Sequence, residues 1–93
     1  MYRLREDVVL EELCGAYILV ALRPAWKEYP FAIRISGSSA MMWNCVRDGV
    51  PAEETMRRLR EEHGMPPEKA ERTYMRFIEY CRKKKYIIPE SSV

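Results

Sequence analysis

The sequence predicts an α+β domain in which a three-stranded antiparallel sheet is followed by three helices. Two changes of pattern lead to this prediction. Up to about residue 36 the chain contains β-branched and apolar runs separated by turn residues, and beyond Gly37 the apolar period changes from 2 to 3.6. Prolines and glycines then divide the rest into three helical segments. All 93 residues are expected to form one domain, with a core over about 8–88 and a frayed tail over 89–93.

The first two predicted strands form a hairpin. Asp7–Leu13 contains β-branched residues, Cys14-Gly15 supplies a turn, and Ala16–Leu22 is a continuous apolar run. The short gap favours antiparallel pairing. The unbroken apolar run fits the central strand of a three-stranded meander.

The third predicted strand, Phe31–Ser36, follows a loop over Arg23–Pro30 that is bracketed by prolines. Its side chains alternate between one face, with Phe31, Ile33 and Ile35, and the opposite face, with Ala32, Arg34 and Ser36. Such alternation predicts a strand with one face in solvent. The strand would also lie at an edge of the sheet, where backbone N–H and C=O groups have no partner strand.

Three helices complete the predicted fold. The first follows Gly37, can be capped by Ser36 or Ser38, and closes at Asp48-Gly49. A stripe of apolar side chains on this helix is expected to face the core: Met42, Trp43 and Val46, with Met41 and Cys45 on its flank.

The second helix is expected to begin at Pro51 and to end at Gly64, and the third to run from Pro66-Pro67 to about Lys84. Core positions of the third helix follow the helical period: Ala70, Tyr74, Phe77, Ile78 and Cys81. The last two helices could form a helix-turn-helix pair, so the predicted fold resembles a winged helix-turn-helix domain.

Composition argues against several functions. The net charge of +2 is small for a nucleic-acid or membrane-surface binder. Three cysteines at unrelated spacings and a single histidine, His63, do not form a metal-site pattern, and no motif of a catalytic site occurs. The sequence thus predicts a non-enzymatic protein with no metal and no cofactor. The charged N-terminal stretch and the lack of a long apolar run predict a cytoplasmic location.

An edge strand beside a helix favours peptide binding, because an extended peptide can add to a sheet edge as a further strand. The expected helix contribution is a second stripe on the third helix: Glu71, Met75, Ile78 and Arg82. Together with Phe31, Ala32, Ile33, Arg34 and Ile35, these residues form the predicted peptide-binding site. The same stripe could instead be the rim of the core.

Two other interpretations stay open. The last two helices and the basic run Cys81–Tyr86 could belong to a winged-helix DNA-binding regulator, although all predicted strands precede the helices and Glu71 and Glu79 would repel phosphates. The protein could also be a purely structural subunit of a larger enzyme. Trp26 and Tyr29 in the loop could dock such an enzyme or fold back onto the sheet as a lid.

The stretch ISGSSAMMWNCVRDG resembles the signature of PqqD-like proteins, the recognition domains for ribosomally made precursor peptides. In that family a strand ends in Leu-Asn, a Gly-Ala pair leads into an Ile-Trp helix, and the helix closes at Asp-Gly. Here the corresponding pairs are Ile35-Ser36, Ser39-Ala40, Met42-Trp43 and an identical Asp48-Gly49. Together with the two following helices, the resemblance extends over roughly Val8 to Ile88.

The resemblance implies a non-catalytic chaperone for a leader peptide. The leader would add to the third strand, lie against the third helix, and be presented to a modifying enzyme. In the family this enzyme is often a radical S-adenosylmethionine maturase that carries its own cofactors, as in pyrroloquinoline quinone biosynthesis. The expected partners are therefore a precursor peptide and such an enzyme, without nucleic acid or membrane.

Overall fold

The computed structural model describes residues 2–22 and 32–89, which form five strands and three helices. The elements are β1 (Tyr2–Leu4), β2 (Val8–Leu13), β3 (Ala16–Ala21), β4 (Ala32–Ile35), α1 (Gly37–Arg47), α2 (Ala52–His63), α3 (Pro67–Lys83) and β5 (Ile87–Pro89). The predicted three-stranded antiparallel sheet followed by three helices is confirmed. Trp26, Tyr29, Phe31 and the end of the predicted tail lie outside the described residues.

The three-stranded sheet has the order β2-β3-β4, with β3 in the centre and antiparallel pairing on both sides. Its hairpin turns through only two residues, Cys14 and Gly15, whose φ angles are 52° and 81°. Positive φ at both central positions matches the twist of the flanking strands. The meander that the sequence predicts is therefore present, and the strands end a residue or so inside the predicted limits.

A second, two-stranded sheet is present that the sequence patterns do not predict. β1 pairs antiparallel with β5, so that Tyr2 lies opposite Pro89 and Leu4 opposite Ile87. Leu4 and Ile87 are both buried, and the Arg5 N–H donates to the Tyr86 carbonyl at 2.8 Å. Strands of three residues are too short to show a period, and their pairing joins the two ends of the described chain. Local pattern could not reveal it.

The helices begin and end at the residues that the sequence indicates. Ser36 is the N-cap of α1, where its hydroxyl accepts a hydrogen bond from the Ser39 N–H at 3.2 Å. Gly64 ends α2 in the left-handed conformation, with a φ of 64°. The prolines at 51, 66 and 67 precede or open α2 and α3, where a missing N–H costs nothing.

The core lies between the sheets and the helices. Trp43 is 1% exposed and packs edge-on against Tyr86, with ring centroids 6.0 Å apart. All five predicted core positions of α3 are buried, and burial raises the pKa of the Cys81 thiol to about 12. Thr55 is buried as well, and its hydroxyl donates to the Pro51 carbonyl at 3.1 Å, so this buried polar group has a hydrogen-bond partner. In the described ranges no helix is long and apolar enough to cross a bilayer.

Candidate functional site

Strand β4 is an edge of the sheet, since it pairs with β3 on one side and with no other described strand. The pairing places Tyr17 opposite Ile35 and Leu19 opposite Ile33. Sequence alone could not tell which residues of this strand direct their backbone outward. The hydrogen bonds of the neighbouring hairpin answer this question.

At the far end of the hairpin the Leu22 N–H donates to the Asp7 carbonyl at 2.7 Å, which makes these two residues a hydrogen-bonded pair. In an antiparallel sheet the backbone groups of consecutive residues point alternately to the two neighbouring strands. Counting back from Leu22 along β3, Leu19 and Tyr17 therefore direct their backbone towards β4.

Ile33 and Ile35, which lie opposite these two residues, form the hydrogen-bonded pairs of β4. Ala32 and Arg34 consequently direct their N–H and C=O groups away from the sheet. These two residues are the backbone positions that an added strand would use.

The side chains of β4 follow the predicted alternation over residues 32–35. Ile33 and Ile35 are half-buried and pack against the core, whereas Ala32 and Arg34 are exposed. Leu19, opposite Ile33, is 1% exposed, so this face of the sheet is the one that contacts the helices. An added strand would alternate in the same way, with every second side chain directed towards the helices.

A groove of about 540 Å³ lies between β4 and α3. Its lining comes from the strand, from α1 and from one flank of α3: Ile33, Arg34, Ile35, Ser39, Met42, Thr73, Arg76, Phe77 and Tyr80. Met42 and Phe77 are buried and form apolar parts of this lining, while Tyr80 is 40% exposed. The groove thus offers apolar contacts next to an open sheet edge.

The contribution of α3 differs from the predicted one. The predicted stripe (Glu71, Met75, Ile78 and Arg82) does not line this groove. Ile78 is buried in the core, and Met75 is 60% exposed elsewhere on the helix. With 3.6 residues per turn, the predicted stripe and the groove-lining stripe lie about half a turn apart, on opposite sides of the core positions. The predicted stripe therefore lies on the flank of α3 away from this groove, and its role in peptide binding stays a prediction.

No feature of the sequence distinguishes the two flanks, since both contain charged residues and one or two large apolar or aromatic side chains. The choice depends on how α3 packs across the sheet. Whether any of these residues binds a peptide stays a prediction.

The charged groups of α2 pair with each other. Arg57 and Arg58 donate hydrogen bonds to the Glu54 carboxylate and lower the pKa of that carboxyl to about 2. Arg57 also contacts Glu61 at 2.9 Å, as the i,i+4 spacing predicts. A carboxylate held ionised in this way is not suited to general acid–base chemistry at neutral pH. Over residues 2–22 and 32–89, no group of three or more His, Cys, Asp or Glu side chains is placed to hold a metal.

Comparison with known proteins gives a fold but no family. The chain matches no family model and no curated protein sequence. It is similar to a solved lasso peptide synthetase B1 complexed with the leader peptide, with a TM-score of 0.76 and 16% identity over 95% of this chain and 98% of that one. It is also similar to TbiB1 in complex with the TbiA(beta) leader peptide, with a TM-score of 0.73 and 15% identity over 98% of both chains. The fold is thus one that leader-peptide-binding proteins use.

Proposed function

We propose that this protein is a non-catalytic peptide-binding module that holds the leader of a ribosomally made precursor peptide as an added strand on β4. The observation that carries the proposal is that Ala32 and Arg34 direct their backbone groups away from β3, pair with no other described strand, and lie beside a half-apolar groove. The structural similarity to two proteins solved with leader peptides supports it.

Binding would combine backbone pairing with side-chain burial. Ala32 and Arg34 offer four backbone hydrogen-bonding groups, each worth about 0.5–1.5 kcal/mol net. Two apolar peptide side chains in the groove would add about 1.5–3 kcal/mol each. Ordering an extended peptide costs a large part of this sum. We therefore expect a dissociation constant on the order of micromolar.

The modifying chemistry would belong to a partner enzyme. The residues that line the groove include no Asp, Glu, His, Lys or Cys, so none of them is a base of the usual kinds that could activate the hydroxyls of Ser39, Thr73 or Tyr80. The sequence resemblance implies a radical S-adenosylmethionine maturase, whereas the solved neighbour is named after a lasso peptide synthetase. We propose an adaptor role for either kind of enzyme, and a cytoplasmic location stays a prediction.

The docking role of Trp26 and Tyr29 also stays a proposal, because both residues lie outside the described ranges. Substituting both with Ala is expected to reduce co-purification of the enzyme without changing peptide affinity. A loss of thermal stability instead would favour the alternative, in which the loop folds onto the sheet.

The central test uses ¹⁵N-labelled protein and synthetic peptides that represent the N-terminal halves of short reading frames encoded beside its gene. We expect one peptide to shift the amide protons of Ala32 and Arg34 downfield, because these N–H groups acquire acceptors, and to perturb Tyr80 in the groove. The proposal is contradicted if no peptide in the set moves these two amides. It is also contradicted if a short duplex DNA binds more tightly than every peptide.

A further inference from the structure

The arginines of this protein fall into two groups according to their partners. Six of those in the described ranges lie within 4.0 Å of a carboxylate: Arg3, Arg5, Arg47, Arg57, Arg58 and Arg82. The other four described arginines, Arg34, Arg60, Arg72 and Arg76, form no ion pair with a described residue. Unpaired cations at a surface site are available to an external anion.

Two of these four unpaired arginines line the groove. Arg34 is on β4, and Arg76 lines the groove from α3. Arg72 is not a lining residue, but it precedes Arg76 by four residues and therefore lies one helical turn away on the same face of α3.

The same flank continues with lysines in both directions. Lys69 and Lys83 lie seven residues before and after Arg76, which is close to two helical turns each way. Lys69, Arg72, Arg76 and Lys83 are all exposed and are called the cationic stripe below. Among the carboxylates of α3, Glu71 lies towards the opposite flank and Glu79 pairs with Arg82 at 3.5 Å. Glu68 is in the first helical turn, where it complements the helix dipole.

We propose that the peptide segment held on β4 is acidic, with carboxylate side chains on both faces of the added strand; this inference rests on the proposed function. On the solvent face, a carboxylate would lie next to the exposed Arg34 in a cross-strand pair. On the groove face, carboxylates would lie beside Arg72 and Arg76, next to apolar side chains that enter the groove. The preferred ligand is an extended peptide in which acidic and apolar residues are mixed.

The apolar lining is the reason to prefer a peptide over a nucleic acid for this cationic surface. Ile33, Ile35 and Phe77 offer nothing to a phosphate backbone, but they suit the aliphatic or aromatic side chains of a peptide. Arg34 is part of the lining through its place on β4, but its exposed side chain alternates with those of Ile33 and Ile35 and is therefore directed to the solvent face of the strand. Cations on both sides of one extended strand fit a single added chain whose side chains alternate between two faces.

The experiment is a selection of displayed random dodecapeptides on the immobilised protein. We expect the recovered peptides to be enriched in Asp and Glu relative to the starting library. In the double variant Arg72→Gln/Arg76→Gln, this enrichment is expected to disappear, and the affinity of a recovered acidic peptide is expected to fall by about three- to twentyfold, since each exposed ion pair contributes modestly. The matched control is Arg60→Gln, which removes an unpaired arginine on α2 and should change neither result.

Ala32→Pro separates this inference from the proposed function. If Ala32→Pro abolishes recovery but the wild-type peptides carry no acidic excess, strand addition stands and the acidic preference is overturned. If Ala32→Pro leaves recovery unchanged, or if the wild-type protein recovers no peptide, the proposed function fails and the inference fails with it. Tighter binding of a short duplex DNA, lost in the Arg72→Gln/Arg76→Gln variant, would assign the cationic stripe to nucleic acid instead. Circular dichroism melts of each variant establish that the fold is retained.

Discussion

The two edges of the three-stranded sheet differ in the charges beside them. A cleft of about 490 Å³ adjoins β2 and is lined by Arg3, Arg5 and Arg47 among others. Each of these arginines pairs with a carboxylate close by in sequence: Glu6, Asp7 and Asp48, respectively. The groove beside β4 is lined by Arg34 and Arg76, which pair with no described residue. The positive charges beside β2 are thus balanced by neighbouring carboxylates of the protein itself. The arginines beside β4 have no such partner among the described residues.

The backbone alone does not distinguish the two edges. The alternation that directs Ala32 and Arg34 outward on β4 also directs Val8, Leu10 and Glu12 outward on β2. Strand β2 ends in exposed residues that include two carboxylates, Glu11 and Glu12, and charges on an edge strand discourage further pairing. Side chains, and not the backbone, therefore determine which edge is suited to a partner.

Proline substitutions along β4 should produce the largest effect. Ile33→Pro removes a ladder hydrogen bond, leaves the Leu19 carbonyl without its donor and reduces apolar burial, so we expect a loss of about 3–6 kcal/mol of unfolding free energy. Ala32→Pro removes only an outward N–H and should fold normally while peptide affinity falls about tenfold or more. Chemical denaturation and calorimetric titration measure the two quantities.

Glu12→Pro is the matched control on the other edge, since it also removes an outward N–H from an exposed position. This variant should fold and bind peptide like the wild type. Equal losses of peptide affinity in Glu12→Pro and Ala32→Pro would mean that the two edges are not functionally different.

Trp43 tests the structural role of the β2 side. It lines the cleft beside β2 and is almost fully buried, so Trp43→Ala should lower the unfolding free energy by about 3–5 kcal/mol. Because domains of this kind are stable by only about 5–15 kcal/mol, binding should be measured well below the midpoint of thermal unfolding. A variant that melts like the parent but fails to bind peptide would reverse the assignment of Trp43 to the core.

Tyr80 and Met75 test which flank of α3 faces the peptide. Tyr80→Ala removes an aromatic side chain that lines the groove and is partly exposed to a bound peptide. We expect peptide binding to weaken by about 1–2 kcal/mol, roughly tenfold. It also removes an edge contact with Tyr86, so a small loss of stability, about 0.5–1.5 kcal/mol, is expected. Met75→Ala, on the flank that the sequence predicted, should leave affinity unchanged. The opposite result in fluorescence titrations would restore the predicted stripe.

Salt should have the smallest effect. Exposed ion pairs to the cationic stripe are weak and screened, so raising the salt from about 50 to about 200 mM should reduce peptide affinity only about two- to fivefold. A protein that contacts about six phosphates would lose roughly a thousandfold over the same range. A steep salt dependence in the titration would therefore favour the DNA-binding interpretation.

Local signals in the sequence were sufficient for most of the secondary structure. Cys14-Gly15, Ser36, Gly64 and Pro67 each act through the backbone conformation or hydrogen bond of the residue itself, and a short stretch of sequence contains that information. The same is true of the alternation along β4 and of the core positions of α3, which follow from the periods of strand and helix.

Only the tertiary structure decided the remaining features, because each depends on contacts between distant segments. The pairing of β1 with β5 joins residues at the two ends of the described chain. The outward direction of Ala32 and Arg34 depends on the register of β4 against β3, which places Ile33 opposite Leu19 and Ile35 opposite Tyr17. The flank of α3 that faces β4 depends on the rotation of the helix about its axis, which the core fixes when it packs. A sequence period identifies the buried side of an element, but it does not say what lies to the left or right of that side.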